Sequence, residues 1–453
     1  MNILRPGRRI PRPFAFWLLA GTLLAILAAS AAPSPLYVVY QERWGFSPTV
    51  LTAVFAIYVL ALLVALLVGG GLSDHIGRRP VLAASLITEA ASMVVFLTAD
   101  GVGPLLLARA LQGLATGAAA GALSAGLLDL QPSPTSTLGP LLNSVASTAG
   151  LAAGALGTGL LVQYAPAPTT LVFALFTALF VLLAASALFL PEPVTPRPGA
   201  WASLRPRVSV PPQARRAFLA AVPTLVATWA LGGLYLALGP SLTAGILHID
   251  NRFVGALAVT TTTGAAAVAS LLVRDLPPQR VTAAGALALA VGTGLTLIAL
   301  TVPSTLLFFL GAALAGSGFG SSFVGTFRSL AVIAGATERA KLIAAVYIVS
   351  YLALSVPAVL AGLAVPSFGL HATTTVYGAV VILLALLAVP SAAALRKPAA
   401  TLSAAVASSE DSATAITKDV ASGRHAMWVG AGWSRSPGRH PASDRHDAAG
   451  SVR

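Results

Sequence analysis

The sequence predicts an all-α integral membrane protein with twelve transmembrane helices, arranged as two six-helix bundles related by a pseudo-twofold axis. Three observations predict it. Of 453 residues, 57% are hydrophobic and only 9% are charged, whereas a soluble protein carries roughly 25% charged residues. Mean hydropathy is +0.86. The apolar residues gather into twelve runs, each long enough to cross ~30 Å of hydrocarbon with ~20 residues. So few charges cannot cover a globular surface, which excludes a soluble enzyme. The net charge of +13 lies between apolar runs and not on one folded basic face, which argues against nucleic acid as a partner. The chain has no cysteine, so disulfides, thiol catalysis and Cys-ligated metals are excluded.

The first six runs cover about 14–38, 49–70, 80–99, 104–129, 138–163 and 168–190. The second six cover 216–240, 251–274, 279–301, 304–327, 338–365 and 369–395. Each is hydrophobic all round and bounded by a short polar turn, as a lipid-embedded helix requires. Barrel strands would be about half as long and would alternate apolar and polar residues. Arg5, Arg8, Arg9 and Arg12 precede the first run, which passes Ala29-Ser30-Ala31 and so has the look of a cleavable leader. The apolar sequence continues through Pro35-Leu36-Tyr37-Val38, and its removal would leave eleven spans. The run is therefore read as a retained first helix.

Lys and Arg set the orientation. With the N-terminus inside, eighteen basic residues fall in inner turns ahead of the distal tail, against Arg43 and Arg252 outside. Both termini are thus expected in the cytoplasm, with the chain in the cell membrane. The domains follow as a basic N-terminus (1–13), a first bundle (14–190), a central loop (191–215), a second bundle (216–395) and a tail (396–453). The bundles align at an offset near 200 residues, the polar turn at 70–80 matching that at 271–280. Such repeats place a transport site between halves. The tail is rich in Ser, Ala, Asp, Arg and His and reads as disordered. Trp428 and Trp433 lie in it, and His425, His440 and His446 are too widely spaced for a metal site. No cofactor or metal is expected, and the chain is expected to act as a monomer.

The strongest motif is the turn Gly70-Gly71-Leu72-Ser73-Asp74-His75-Ile76-Gly77-Arg78-Arg79-Pro80. Gly70 and Gly77 permit close approach and unusual backbone angles. Asp74 can pair with a neighbouring Arg or sit at a helix N-terminus. Here the chain resembles the major facilitator superfamily, whose signature reads Gly-x-Leu-(Ala/Ser)-Asp-(Arg/Lys)-x-Gly-Arg-(Arg/Lys). Gly70, Leu72, Ser73, Asp74, Gly77, Arg78 and Arg79 match it, and His75 departs from it. The resemblance covers about 14–395 and implies a cytoplasmic gate formed by this turn, which locks the halves in the outward-open state. His75 introduces pH sensitivity there.

Arg109-Ala110-Leu111-Gln112-Gly113 in the fourth run resembles the Arg-x-x-Gln-Gly of drug–proton antiporters in that superfamily. Arg109 lies five residues past Pro104, about 7–8 Å below the outer helix end. A buried Arg costs ~2.5–3.5 kcal/mol on insertion scales, so it needs a polar partner. Gly113, Gly117 and Gly121 form a small-residue stripe suited to close packing. Glu89 is the one acid placed in mid-span, about 13–14 Å in. Such a group can take up and release protons, and Glu89 with Arg109 forms the candidate proton-coupling pair. Span three is peripheral in the family, which leaves a structural role for Glu89 open. In the fifth run Gly150, Gly154 and Gly159 partly match the family's Gly-Pro pattern, with Ala155 and Thr158 replacing Pro and Gly.

Gln112, Asn143, Trp229, Tyr235, Tyr347 and Tyr351 are the candidate cavity residues. They describe a largely apolar cavity with little to pair a multiply charged substrate. There is no P-loop, carboxylate pair or triad, so ATP-driven pumping and enzyme chemistry are not expected. The sequence therefore points to a secondary transporter that exports an apolar or weakly charged small molecule against protons. Uptake or facilitated diffusion of a metabolite is the alternative, and a membrane enzyme or sensor the more distant one.

Overall fold

The computed structural model describes residues 9–394 except 134, 135, 137, 207 and 334–337. The N-terminal eight residues and the tail with Trp428, Trp433 and its histidines lie outside the described residues.

All regular structure among the described residues is helical. In order the helices are α1 (Arg12–Ala31), α2 (Pro33–Trp44), α3 (Pro48–Gly69), α4 (Ser73–Ile76), α5 (Arg78–Leu97), α6 (Val102–Leu130) and α7 (Leu138–Tyr164). They continue as α8 (Pro168–Ala187), α9 (Ala200–Ser203), α10 (Arg215–Gly245), α11 (Arg252–Leu272), α12 (Pro278–Thr301), α13 (Thr305–Ile333) and α14 (Arg339–Ala394). Among the described residues, eleven stretches are long and apolar enough to cross a membrane. The last, Lys341–Ala392, has 52 residues, about 78 Å at 1.5 Å per residue. That is more than twice a hydrocarbon core. Gly369 breaks it at φ 79° and ψ 161°, so α14 is two helices joined at a kink, consistent with twelve crossings.

The first run is not one straight helix. Pro33 and Pro35 lack the N–H groups that α1 would need to continue, and the chain restarts as α2 after Ala32. Both pieces still form one apolar stretch, Arg12–Trp44.

The pairing of helices has the predicted symmetry. In the first half α1 packs on α6 and α7, α6 on α3 and α5, and α5 on α8. In the second half α10 packs on α13 and α14, α13 on α11 and α12, and α12 on α14. The halves meet where α3 lies on α14 and α7 lies on α11. Exchanging the halves turns each of these two seams into the other.

Glycines enforce the repeat. A methyl at Gly113 would overlap the Tyr58 carbonyl of α3 and meet Ala61 Cβ at 2.8 Å, and Gly117 abuts Leu62 in the same way. Gly316 and Gly320, 203 residues on, abut the Thr262 and Ala266 carbonyls of α11. Small residues that let backbones touch are how membrane helices gain packing energy. Gly150 and Gly154 of α7 likewise sit on Leu24 and Ala28 of α1, and Gly159 sits on Ala256 of α11.

Contacts between the halves concentrate toward one end. Thr49 Oγ1 donates to Gly362 O (2.8 Å), Arg252 N to Gln163 Oε1 (2.8 Å), and Arg252 Nη2 to Glu42 Oε2 (2.6 Å). Ser34 Oγ donates to Leu236 O (2.6 Å) and Thr260 Oγ1 to Ala152 O (3.4 Å). All lie between mid-depth and the end bearing the 45–47 and 165–167 turns. The other end carries Arg78, Arg79, Arg274, Arg280 and Arg328 and is called the basic end below. The halves are thus sealed away from the basic end.

Candidate functional site

Three groups of residues stand out. The first surrounds Arg109, which is 1% exposed. Its Nε donates to the Tyr37 hydroxyl (2.9 Å) and its Nη2 to the same oxygen. Nη1 donates to Ser30 O (3.0 Å) and Gln112 Oε1 (2.6 Å). Gln112 Nε2 in turn donates to Ala29 O (2.9 Å). The proline break explains these acceptors. Pro33 offers no N–H to Ala29 O, so that carbonyl takes Gln112. The guanidinium carbon lies 4.9 Å from the Tyr58 ring centroid and 5.5 Å from that of Tyr37, within cation–π range. A charge buried in lipid-depth helices thereby has a hydrogen-bond partner on each of its three nitrogens, as its cost demands.

Glu89 joins this cluster from α5 and is also 1% exposed. It faces Arg109 and Gln112, but neither carboxylate oxygen has a hydrogen bond of ordinary geometry. No ion pair joins it to Arg109 among the described residues; the guanidinium's hydrogen bonds go to Tyr37, Ser30 and Gln112. The structure thus brings Glu89, Arg109 and Gln112 together while leaving the acid unpaired. Sequence reasoning missed Tyr37, Tyr58 and Ser30. Pro33 signalled only the free Ala29 carbonyl that Gln112 takes; for Ser30, Tyr37 and Tyr58 there was no signal.

The second group is the 70–80 turn. Gly77 adopts φ 106°, a left-handed value that favours glycine, and a methyl there would meet Glu192 Oε2 at 2.7 Å. Gly70 keeps ordinary helical angles, φ −57° and ψ −33°; a methyl there would meet the Leu66 carbonyl oxygen at 2.6 Å. Arg78 ion-pairs with Asp74 and with Asp129 (3.2 Å), and bonds Ser73 Oγ (2.7 Å). Glu192 was unassigned from sequence. Its carboxylate accepts from Arg78 N (3.0 Å) and Arg79 N (2.8 Å), capping α5 where the helix dipole favours an anion. Arg197 N donates to His75 O (2.8 Å), and the His75 ring bonds Gly71 O (3.0 Å). The turn is therefore tied to α6 and the central loop. Among the described residues its ion pairs and hydrogen bonds do not reach α11–α14, which fits halves sealed at the opposite end.

The third group is aromatic. Trp229 of α10 lies 6.0 Å from Phe319, 5.4 Å from Phe323 and 5.2 Å from Tyr351, centroid to centroid. Tyr347 stacks on Tyr351 at 6.0 Å. The Trp229 indole N–H is buried without a hydrogen-bond partner. Phe319 and Phe323 were not singled out from sequence. Tyr235 does not join them; it is 1% exposed and its hydroxyl shares a hydrogen bond with Thr296 (2.8 Å) inside the second half. Asn143 sits apart on α7, accepting from Ser124 Oγ (2.8 Å). No cluster able to hold a metal occurs among the described residues.

Comparison with known proteins agrees with this architecture. Residues 18–292 match the family model described as Major Facilitator Superfamily. The puromycin resistance protein pur8 of Streptomyces alboniger is 33% identical over 160 residues, 34% of this chain and 31% of that protein. The chain thus matches about a third of the length of that curated relative. With nearly all of the first repeat and the start of the second inside the family match, and with the paired seams, glycine contacts and 70–80 turn described above, the chain belongs to the Major Facilitator Superfamily of membrane transporters.

Proposed function

We propose that this transporter exports an apolar or weakly charged small molecule in exchange for protons, by alternating access. The observation that carries the reading is the buried Arg109–Gln112–Tyr37 network with the unpaired Glu89 beside it. A carboxyl so placed exchanges a proton without losing an ion pair, and the adjacent guanidinium senses its charge at low dielectric. Export is supported by the relative whose name is a resistance protein.

In this reading the bundles 14–190 and 216–395 rock about the α3–α14 and α7–α11 seams, joined by the loop 191–215. The chain works as a monomer in the cell membrane, with termini and basic end in the cytoplasm. The seal then makes this the cytoplasm-open state. Trp229, Tyr347 and Tyr351, with Phe319 and Phe323, form the substrate wall. Gln112 faces the proton site and Asn143 lies at the opposite wall.

The test uses proteoliposomes with an imposed pH gradient and a panel of aromatic compounds including puromycin. Substrate should move against the proton flux, and an uncoupler should abolish accumulation. Glu89→Gln should retain exchange but lose gradient-driven accumulation. Full gradient-driven transport in Glu89→Gln overturns the assignment.

A further inference from the structure

The basic end of the second half carries a groove that the transport cycle does not use. It has a volume of about 340 Å³ and runs between α12 and α13, lined by Leu276, Arg280, Ala284, Ala288, Ser317 and Ser321 among others. Its position on the lipid side follows from its neighbours. Leu306 and Leu310 lie on the same stripe of α13 and are 73% and 54% exposed. Phe319 and Phe323, which meet Trp229, point the other way around that helix.

At two of its lining positions the groove carries smaller residues than the first repeat does. Exposure along α5 and α12 matches at an offset of 200, and along α6 and α13 at 203. At those offsets Ser317 stands where the first half has Leu114, and Ala288 where it has Thr88. At the mouth, Arg280 stands where the first half has Pro80. From Pro278, the first residue of α12, to Ala288 is ten residues, about 15 Å of helix. That is half of a ~30 Å hydrocarbon core, the depth of one leaflet.

The charge at the mouth is positive. Arg280 lines it, and Arg328 Nη1 donates to Leu276 O (3.1 Å). Arg274 is paired with Asp275 (3.1 Å), so that carboxylate is already neutralised. We propose that this groove binds one anionic phospholipid, its phosphodiester on Arg280 and Arg328 and one acyl chain along Ala284, Ala288, Ser317 and Ser321. A zwitterionic lipid of equal chain length fills the groove without matching the charge, and binds more weakly.

Native mass spectrometry of the full-length protein in detergent tests this, titrating phosphatidylglycerol against phosphatidylcholine with the same chains. One phosphatidylglycerol should be retained at least fivefold more tightly. Arg280→Gln should cost about fivefold and bring it to the phosphatidylcholine level, since a basic side chain near an anionic headgroup contributes about that factor. Arg280→Lys should keep most of the difference. Ser317→Leu restores the residue of the first repeat, so the fold has a precedent for it, and should weaken both lipids. Equal retention of the two lipids by the native protein overturns the proposal, as does an undiminished preference in Arg280→Gln. Full displacement by glycerol phosphate at the lipid's own concentration overturns it too, because the site is then one for a soluble anion.

Discussion

Gly362→Ala perturbs the seal between halves directly. A methyl at Gly362 would overlap Thr52 Oγ1 and lie 2.7 Å from both Thr52 Cβ and Cγ2. Thr52 is itself fully buried and back-bonded to Thr49 O (3.0 Å), so it has little freedom to withdraw. Overpacking of this kind costs about 1–3 kcal/mol. The cost falls on the state in which α3 and α14 touch at this depth and is relieved when they part. Population of the state open at that end should therefore rise about 5–150-fold. The chain has no cysteine, so one introduced thiol reports without background. Ala155→Cys suits the purpose: Ala155 is 0% exposed and clusters with Ala31 of its own half and with Val259 across the α7–α11 seam. Its reaction with a membrane-impermeant maleimide should accelerate in the Gly362→Ala background. Adding Thr52→Gly removes the clashing atoms and should restore slow labelling. Unchanged labelling in Gly362→Ala, or acceleration that survives Thr52→Gly, refutes the seal as described.

Other substitutions separate the groups of residues. Gly77→Ala forces a side chain to φ 106° and against Glu192, so thermal unfolding should show a loss of about 1–3 kcal/mol. Glu192→Ala removes two bonds to the first N–H groups of α5. It should cost about 0.5–2 kcal/mol and speed protease cleavage within 191–215, an effect that Glu192→Gln should partly avoid. Trp229→Leu leaves Phe319, Phe323 and Tyr351 without their shared ring. Binding of aromatic substrates, read by thermal shift, should weaken by more than tenfold while the unliganded melting temperature moves little.

The fold was legible because lipid leaves few choices. Apolar length set the helices, and the repeat offset set the symmetry, though not the choice of helices, that the α3–α14 and α7–α11 seams display. The 70–80 turn was legible because Gly77 and Arg78 sit at fixed spacing, although of Gly70 and Gly77 only Gly77 takes a special angle. What escaped were partners far apart in sequence. Glu192 meets Arg78 from 114 residues away, and Tyr37 meets Arg109 from 72. No periodicity in one run announces such a pair. Tyr235 looked like Trp229 and Tyr351 by residue type, but helix rotation decides which aromatic faces the centre. The run is apolar all round, so composition carried no signal of that rotation.

The position of α2 ties the buried charge to the seal. Ser30 and Tyr37 bind Arg109 on either side of the Pro33 break. Ser34 lies between them and donates to Leu236 O of the other half (2.6 Å). Further along α2, Glu42 pairs with Arg252 (2.6 Å). The break weakens the helix where both sets of bonds attach, so withdrawal of Arg109 from Ser30 and Tyr37 acts on a segment already freed from its ladder. A rigid helix would spread that change along its length; a broken one delivers it to Ser34 and Glu42. If this coupling operates, Arg109→Lys and Ser34→Ala are non-additive. Each alone should raise labelling of the Ala155→Cys reporter, and the double variant should do so by less than the product of the two. Effects that simply multiply would place Arg109 and the seal on independent elements and remove α2 from the coupling.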